Sequence, residues 1–335
     1  MGRQWDESDV RIRPGKKSRP RTKDRPRHDD AIFGMVLTKD RGRWGVLLDD
    51  GKCITCMRAK ELRRTSIEVG DRVGVVGDTS GSPGTLGRIV KLAERTSILR
   101  RTADDADPYE RIVVANADLL LIVVAVADPP PRAGFVERAL VAAYAGNLQP
   151  VLCLTKSDLG DPSVFAKQFA GLDIPIFCCG IHDELSELED FLKDKVSACI
   201  GHSGVGKSTL VNRLIPDADR ATGDVSGVGK GRHTSTQAVA LALPQGGWII
   251  DTPGIRSFGL AHITADQILA AFPDVAEISA HCPRGCTHHD DPTCALLAID
   301  TDTELGKRAQ SLIRILREKD RIPGWLQDRN HEAQP

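Results

Sequence analysis

The stretch of sequence that decides the fold reads Gly201-His202-Ser203-Gly204-Val205-Gly206-Lys207-Ser208. It satisfies the pattern G-x-x-x-x-G-K-[ST], follows a short strand-like run at residues 197–200 and precedes a helical segment at residues 209–214. In that context the backbone N–H groups surround nucleotide phosphates, Lys207 neutralises the β- and γ-phosphates, and the Ser208 hydroxyl binds Mg²⁺. We therefore predict a P-loop at a helix N-terminus, with Thr209 completing the nucleotide-binding stretch.

A second motif, Asp251-Thr252-Pro253-Gly254, follows an apolar strand at residues 248–250. An acidic residue at the end of such a strand commonly holds Mg²⁺ in P-loop enzymes, so we expect Asp251 to bind the ion directly or through water. The backbone N–H of Gly254 is expected to contact the γ-phosphate. This segment would then be a switch that relaxes after hydrolysis.

A third motif, Thr155-Lys156-Ser157-Asp158, ends the apolar run at residues 151–154 and resembles the [NT]-K-x-D motif that reads guanine. The Asp158 carboxylate would accept hydrogen bonds from guanine N1–H and from the exocyclic amine. Adenine lacks both donors, so a carboxylate there rejects ATP. Lys156 would lie along the base plane, and Thr155 stands where asparagine is commoner. These residues predict binding of GTP and GDP.

The order of the three motifs is unusual because the guanine motif at residue 155 precedes the P-loop at residue 201. A GTPase ordinarily runs from P-loop to guanine motif, so this chain is predicted to be circularly permuted. Permutation is tolerated where the original termini lie close together at the surface. Its consequence is that whatever follows the switch at residue 254 is attached directly to a nucleotide-sensing strand.

Between P-loop and switch lies Gly231-Arg232-His233-Thr234-Ser235-Thr236, our candidate for the first switch. We expect Thr234 to supply a second hydroxyl to Mg²⁺, with Thr236 as a substitute. Ile255 follows Gly254 at the position where other GTPases carry the glutamine that orients water, and an isoleucine cannot do this. His233 is the nearest replacement in sequence for this catalytic role, or it is a structural loop residue.

A cluster of metal-ligating side chains lies near residue 288, in the order Cys282, Cys286, His288 and Cys294. Three thiolates and one imidazole suit a closed, structural zinc site. His281 and His289 are rival ligands, and an unliganded loop is the alternative. By contrast, the Cys53-x-x-Cys56 pair falls in a predicted strand and is interpreted as ordinary strand residues.

The N-terminal part divides into a basic tail and a β-rich region. Residues 11–27 hold nine Arg or Lys against one acidic residue, with few apolar side chains, so we expect a disordered arm that binds RNA phosphates or only solubilises the chain. Short apolar runs at residues 32–37, 44–48, 72–76 and 87–92 alternate with turn signals. They predict a small β-barrel, for which an OB-fold is the usual nucleic-acid-binding form.

The central part alternates strand-like and helix-like runs. Strands are predicted at residues 112–114, 119–126, 151–154, 174–177 and 197–200, and helices at 135–145 and 185–192. This alternation is typical of a doubly wound α/β domain, and we place all five strands in one buried parallel sheet. After residue 260 the chain is helical and ends in an amphipathic helix at residues 303–319.

Composition excludes several classes of protein. No run approaches the length of a membrane helix, the polar N-terminus is not a secretory signal, and nine cysteines in 335 residues do not make a disulfide scaffold. We expect a cytoplasmic, monomeric protein with no membrane or DNA partner.

Taken together, these motifs resemble the ribosome small-subunit-dependent GTPase A (RsgA) family. The resemblance rests on the three nucleotide motifs in permuted order, on Asn116-x-Asp118 before an apolar strand, on residues 231–236 and on the Cys/His cluster. Two features depart from the family: the first cysteine spacing is x₃ rather than x₄, and the second guanine loop reads Cys178-Cys179-Gly180, so no base-contacting residue is assigned there.

The resemblance implies a multidomain protein with an OB-fold barrel, a permuted α/β P-loop GTPase and a helical zinc-binding domain. We divide the chain accordingly into a tail (1–30), barrel (31–100), GTPase domain (101–262) and zinc domain (263–335). The resemblance further implies GTP hydrolysis stimulated by the 30S subunit, contact with ribosomal RNA and a role in late subunit maturation. Two rivals stay open: a permuted GTPase of the large subunit, and a non-catalytic RNA-binding protein.

Overall fold

The computed structural model describes residues 27–102, 110–170, 172, 174–216, 238–252, 263–288 and 291–320. The strands are β1 (Ile32–Asp40), β2 (Arg43–Leu48), β3 (Cys53–Arg58), β4 (Arg72–Gly77), β5 (Gly87–Leu92), β6 (Ile98–Thr102), β7 (Glu110–Ala115), β8 (Leu119–Ala125), β9 (Gln149–Thr155), β10 (Ile176–Cys178), β11 (Val196–Ile200), β12 (Val239–Ala242) and β13 (Trp248–Asp251). The α-helices are α1 (Ala133–Ala145), α2 (Pro162–Ala166), α3 (Ser186–Leu192), α4 (Lys207–Leu214), α5 (Ala265–Ala270), α6 (Pro273–Ser279) and α7 (Glu304–Asp320). The basic tail lies outside the described residues.

Strands β1 to β5 form the expected N-terminal barrel. They are hydrogen-bonded in the order β1-β2-β3-β5-β4, and β4 closes on β1. Alternate residues of β2 point inward, where Trp44, Val46 and Leu48 are buried with residues of the other strands. At Gly34 a Cβ would lie 2.4 Å from the Leu47 carbonyl oxygen, so the close approach of β1 and β2 requires glycine. The prediction of a small N-terminal β-barrel is confirmed, and the barrel has five strands.

The central sheet has the order β10-β9-β8-β11-β13-β12, parallel except for β12. All seven residues of β8 are buried because helices cover both faces of this strand. The strands β9, β11 and β13 end at the carboxyl edge of the central sheet, and the three nucleotide motifs begin there. Doubly wound sheets bind their ligands at this edge.

The run at residues 112–114 is not part of the parallel sheet, so that prediction was wrong. It lies in β7, which pairs antiparallel with β6 in a separate two-stranded sheet. Ile112 and Val113 are only partly buried and Arg111 is exposed, whereas a strand inside a doubly wound sheet is covered on both faces. A three-residue apolar run carries too little pattern to distinguish the two cases.

The barrel and the central sheet are continuous. Strand β1 pairs with β12 at Thr38↔Val239, which makes one sheet of both parts. Asn116 strengthens the junction: its Nδ2 donates to the Gly70 carbonyl oxygen at 3.0 Å, and its Oδ1 accepts from the Thr96 N–H at 2.9 Å. The Asn116-x-Asp118 element therefore joins the two parts of the fold.

The C-terminal helices α5, α6 and α7 pack around their own core, into which Val141 of α1 inserts. Helix α5 begins with a capping box between Thr264 and Gln267. The predicted amphipathic helix is α7. Among the described residues, no helix is long and apolar enough to cross a bilayer. The division into four domains stays a prediction, and β6 runs across its boundary at residue 100.

Candidate functional site

The P-loop connects β11 to α4. Gly204 and Gly206 have φ angles of +83° and +90°, which non-glycine residues adopt only with strain. At Gly201 a Cβ would lie 2.7 Å from the Val123 carbonyl oxygen of β8, so this glycine lets the loop pass close to the sheet. Helix α4 begins at Lys207, two residues earlier than the sequence predicted. Ser203, Gly204, Ser208 and Thr209 are exposed, leaving the loop open to a ligand.

Lys207 forms an ion pair with Asp251. The pair is possible because β11 and β13 are neighbours, with Cys199 opposite Asp251 in the register. The structure thus brings together the lysine and the acid that the sequence assigned to phosphate and Mg²⁺. Ser208 and Asp251 offer only oxygen atoms, which is the ligand chemistry that Mg²⁺ prefers.

Thr155 links the guanine motif to the P-loop. Its side chain is buried, and its hydroxyl lies 2.5 Å from the Val205 carbonyl oxygen and 3.3 Å from that of Val124. A hydroxyl has one proton, so it donates to one carbonyl at a time, and Val205 is the nearer. A Cβ on Gly206 would lie 3.5 Å from the same hydroxyl, so the two motifs are in contact.

Lys156 and Asp158 lie at the carboxyl end of β9. Lys156 has a φ of +58°, and its ammonium donates to the carbonyl oxygen of Asp128 in the loop after β8. Asp158 is exposed at the mouth of the site. This position leaves its carboxylate accessible to a base, and its guanine-reading role stays a prediction.

The loop after β10, the candidate second guanine loop, lies against the predicted guanine motif. Asp183 Oδ2 accepts one hydrogen bond from the Gly180 N–H at 2.7 Å and another from Ser157 Oγ at 2.8 Å. Sequence reasoning assigned no residue in this loop. One sequence feature could have pointed to this loop: it follows a predicted parallel strand. Loops at the carboxyl ends of parallel strands lie at the edge of the sheet where ligands bind.

Several predicted residues lie outside the described part of the chain: His233, Thr234, Thr236, Gly254 and Ile255. Their roles stay predictions. The last described residue of the predicted switch at residues 251–254 is Thr252, which is fully buried and donates from Oγ1 to the Cys199 carbonyl oxygen at 2.6 Å. This bond holds the first part of that segment against β11.

The four predicted zinc ligands are brought together: the ligand atoms of Cys282, Cys286, His288 and Cys294 all lie within 4.8 Å of one another. Cys294 Sγ is 3.7 Å from both Cys282 Sγ and His288 Nδ1. Tetrahedral zinc with bonds of about 2.0–2.3 Å separates its ligand atoms by about 3.3–3.8 Å. The donor set and its spacing therefore fit Zn²⁺.

Backbone groups support this cluster. The His288 N–H donates to Cys286 Sγ at 3.3 Å, and the Ala295 N–H donates to Cys282 Sγ at 3.3 Å. Such bonds stabilise thiolates, the form in which cysteine binds metal. His281 is exposed and does not belong to the group, while His289 lies outside the described residues.

The cysteines of β3 have a different environment. Cys56 is fully buried in the barrel core, and this burial raises the pKa of its thiol to about 12. A thiol that stays protonated is a poor metal ligand. The structure therefore supports the interpretation of Cys53 and Cys56 as ordinary strand residues.

Comparison with known proteins agrees with this arrangement. The family model described as RsgA GTPase matches residues 92–261. A protein of Gemmatimonas aurantiaca called small ribosomal subunit biogenesis GTPase RsgA is 36% identical over 275 residues, covering 78% of this chain and 89% of the relative. A protein of the same name from Chlorobaculum parvum is 33% identical over 305 residues, covering 86% and 98%.

Solved structures give the same result. The crystal structure of YjeQ from Thermotoga maritima superposes with a TM-score of 0.65 at 26% identity, covering 86% of this chain and 98% of that one. The structure of YloQ, described as a circularly permuted GTPase, has a TM-score of 0.64 at 25% identity and covers 89% and 98%. With the motif order and the paired Lys207 and Asp251, these matches establish that the chain is a circularly permuted, GTP-hydrolysing enzyme of the RsgA GTPase family.

Proposed function

We propose that this cytoplasmic GTPase binds the small ribosomal subunit and its ribosomal RNA, assists a late step of subunit maturation, and hydrolyses GTP faster when bound. The names of its relatives point to small-subunit biogenesis. One structural observation carries the proposal for this chain: the barrel and the C-terminal helices are both attached to elements of the nucleotide site.

The barrel is attached through β12. This strand pairs with β1 of the barrel on one side and with β13 on the other, and β13 ends in Asp251. The chain between the P-loop helix and β12 contains the first switch candidate, Thr234. A nucleotide-dependent movement of either switch would therefore act on a strand bonded to the barrel.

The C-terminal helices are attached through α1. Glu137 accepts a hydrogen bond from Ser311 Oγ of α7 at 2.5 Å and pairs with Arg314 at 2.8 Å. Two residues earlier on the same helix, Phe135 contacts His202 of the P-loop, with ring centroids 4.3 Å apart and ring planes tilted by 47°. One helix thus connects the P-loop to the C-terminal helices that carry the Cys/His cluster.

The barrel offers a basic surface for RNA. Lys60, Arg63 and Arg64 are exposed in the segment after β3, and Arg88 is exposed on the neighbouring strand β5. Cationic side chains neutralise RNA phosphates and release counterions, so affinity from such a surface falls as salt rises. The predicted basic tail at residues 11–27 would add to the same attraction.

In the proposed cycle Asp158 accepts hydrogen bonds from guanine, and Lys207 exchanges its contact with Asp251 for the β- and γ-phosphates. When bound, Mg²⁺ would neutralise phosphate charge, with Ser208, Thr234 and Asp251 as its protein ligands. Ile255 cannot orient water, so the chain alone is expected to turn over slowly. Contact with the subunit would bring His233 or an equivalent group to the attacking water.

The test is steady-state hydrolysis of GTP and ATP by the full chain, alone and with purified small or large ribosomal subunits. We expect GTP hydrolysis to rise strongly with the small subunit only, and ATP to be a poor substrate throughout. Equal rates with and without either subunit would overturn the ribosomal proposal while leaving the GTPase assignment intact.

A pair of matched variants tests the barrel surface. Arg63→Gln with Arg64→Gln removes two barrel charges, and Lys167→Gln with Lys193→Gln removes two exposed charges from the GTPase domain. We expect the first variant to need more small subunit for half-maximal stimulation, increasingly so at higher salt, with unchanged basal hydrolysis. If both variants respond to the subunit alike, the barrel surface is not the RNA contact.

A further inference from the structure

We propose that Asp183 and Arg213 are positioning residues for guanine recognition, holding the loop after β10 against the guanine motif and joining that loop to the P-loop helix. This inference depends on the guanine-reading role proposed for Asp158. Neither residue belongs to the P-loop, the guanine motif or the D-x-x-G motif, from which the nucleotide site was predicted.

Asp183 fixes the residue next to the base-reading carboxylate. Its Oδ2 accepts from Ser157 Oγ at 2.8 Å and from the Gly180 N–H at 2.7 Å. Ser157 immediately precedes Asp158, so a bond that holds the Ser157 side chain also restricts the backbone that presents Asp158. A charged acceptor makes both bonds stronger than a neutral one would.

The loop and the motif are in direct contact at Gly180. A Cβ at this position would lie 2.1 Å from Ser157 Oγ and 2.9 Å from the Ser157 backbone nitrogen. No side chain fits in that space. Glycine here lets the backbone of the loop pack on the backbone of the motif, where it can border the edge of a bound base.

Arg213 of α4 holds the same loop through two of its carbonyl oxygens. One guanidinium nitrogen donates to the Gly180 carbonyl oxygen and the other to the Asp183 carbonyl oxygen, each at 2.5 Å. The planar fork of arginine suits two acceptors at once, whereas a lysine reaches them only as a point charge. Arg213 lies on α4, whose first residue is Lys207. A single helix therefore connects the loop beside the base to the lysine at the phosphates.

This geometry predicts a defect in binding rather than in the chemical step. Without Asp183 or Arg213 the loop would no longer hold Ser157, and Asp158 would bind guanine in a less restricted position. Lys207, Ser208 and Asp251 would keep their places. The KM for GTP and the dissociation constant for GDP should rise about 10-fold, the scale of a lost hydrogen bond to a charged group, with kcat nearly unchanged.

The test uses full-length Asp183→Ala, Asp183→Asn, Arg213→Gln and Arg213→Lys, with Arg72→Ala as a control. Arg72 is an exposed arginine of the barrel, paired with Asp49. Fluorescent GDP gives the dissociation constant, and steady-state hydrolysis of GTP and ITP gives KM and kcat. ITP lacks the exocyclic amine of guanine, so the preference for GTP over ITP reports whether Asp158 is correctly placed.

We expect Asp183→Ala and Arg213→Gln to weaken GDP binding and to reduce the preference for GTP over ITP. Asp183→Asn, which keeps an acceptor oxygen, should recover most of the affinity, Arg213→Lys should recover part of it, and Arg72→Ala should match the unaltered protein. A fall in kcat at unchanged KM, or wild-type GDP affinity in both Asp183→Ala and Arg213→Gln, would overturn the proposal.

Asp158→Asn separates this inference from the assignment on which it depends. If Asp158 reads guanine, this variant loses GTP and gains affinity for xanthosine nucleotides, whose donors and acceptors suit an amide. A normal Asp158→Asn protein would overturn the guanine assignment itself. An altered Asp158→Asn together with an unaffected Asp183→Ala and Arg213→Gln would overturn only the positioning roles.

Discussion

The hydroxyl of Thr155 lies 2.5 Å from the carbonyl oxygen of Val205, so the predicted guanine motif is bonded to the P-loop. The two residues are 50 positions apart, and Thr155 is buried. The P-loop passes so close to β9 that the short side chain of Thr155 reaches it with a direct hydrogen bond. The predicted base and phosphate sites are therefore directly connected.

Thr155→Val tests this bond. Valine has a similar shape but no hydroxyl, so the carbonyl oxygen of Val205 loses its donor. We expect nucleotide affinity to fall by about 10-fold, because an unpaired buried acceptor costs about 1–3 kcal/mol. Titration with fluorescent GDP measures the effect. Thr155→Ser keeps the hydroxyl and should bind nearly normally; equal affinities for all three proteins would contradict the coupling.

Lys207→Ala should remove hydrolysis. The ammonium is the charge that the site brings to the β- and γ-phosphates, and an electrostatic contact of this kind contributes about 100-fold or more to turnover. Lys193→Ala, an exposed lysine of the same domain, is the control. Phosphate release assays measure both. A Lys207→Ala protein with normal turnover would contradict the assigned role of the P-loop lysine.

The Cys/His cluster should bind one zinc ion per chain. Cys294→Ser removes a ligand that is 3% exposed and contacts two others, so we expect the metal to be lost. The apparent Tm of the C-terminal unit should fall by about 5 °C or more, because structural zinc contributes directly to folding. Elemental analysis and thermal unfolding measure the two effects. Cys56→Ser should retain the zinc, and a loss of metal from this variant would contradict the ligand assignment.

Glu137 should make stability depend on pH. Burial raises the pKa of its carboxyl above the ordinary value of 4.5, although Ser311 and Arg314 oppose the shift. A raised folded pKa means that the contribution to stability is complete below about pH 4.5 and is lost as pH rises through the folded value. The stability of the unaltered protein relative to Glu137→Gln should therefore decrease as pH rises through this window.

Chemical unfolding at a series of pH values measures this difference. Ser311→Ala supplies the control, since loss of a hydrogen bond to the carboxylate should raise the pKa further and extend the pH dependence upward. A stability difference between the unaltered protein and Glu137→Gln that is constant or grows with pH would contradict the effect of burial.

Local sequence was sufficient to predict the motifs whose functional residues are neighbours in the chain. The P-loop between β11 and α4, the acid that ends β13 and the guanine motif that ends β9 are each short stretches with a fixed spacing, because phosphates, Mg²⁺ and a base impose that spacing on the backbone. The strands of the barrel were predictable because burial on one face imposes alternation. The Cys/His cluster could be predicted because zinc accepts few ligand types.

The strand with which a short apolar run pairs depends on the tertiary structure, which the sequence of the run does not contain. The run at residues 112–114 was therefore placed in the wrong sheet. The same reason left Asp183 and Arg213 unassigned, because three of their four hydrogen bonds go to backbone groups and the fourth goes to Ser157, which is distant in the sequence. The sequence by itself determined the permuted order of the nucleotide motifs and the residue types available at the predicted nucleotide and metal sites. Only the tertiary structure decided that Thr155 contacts Val205, that β1 joins β12 and that Glu137 meets Ser311, because contacts between distant residues leave no local pattern.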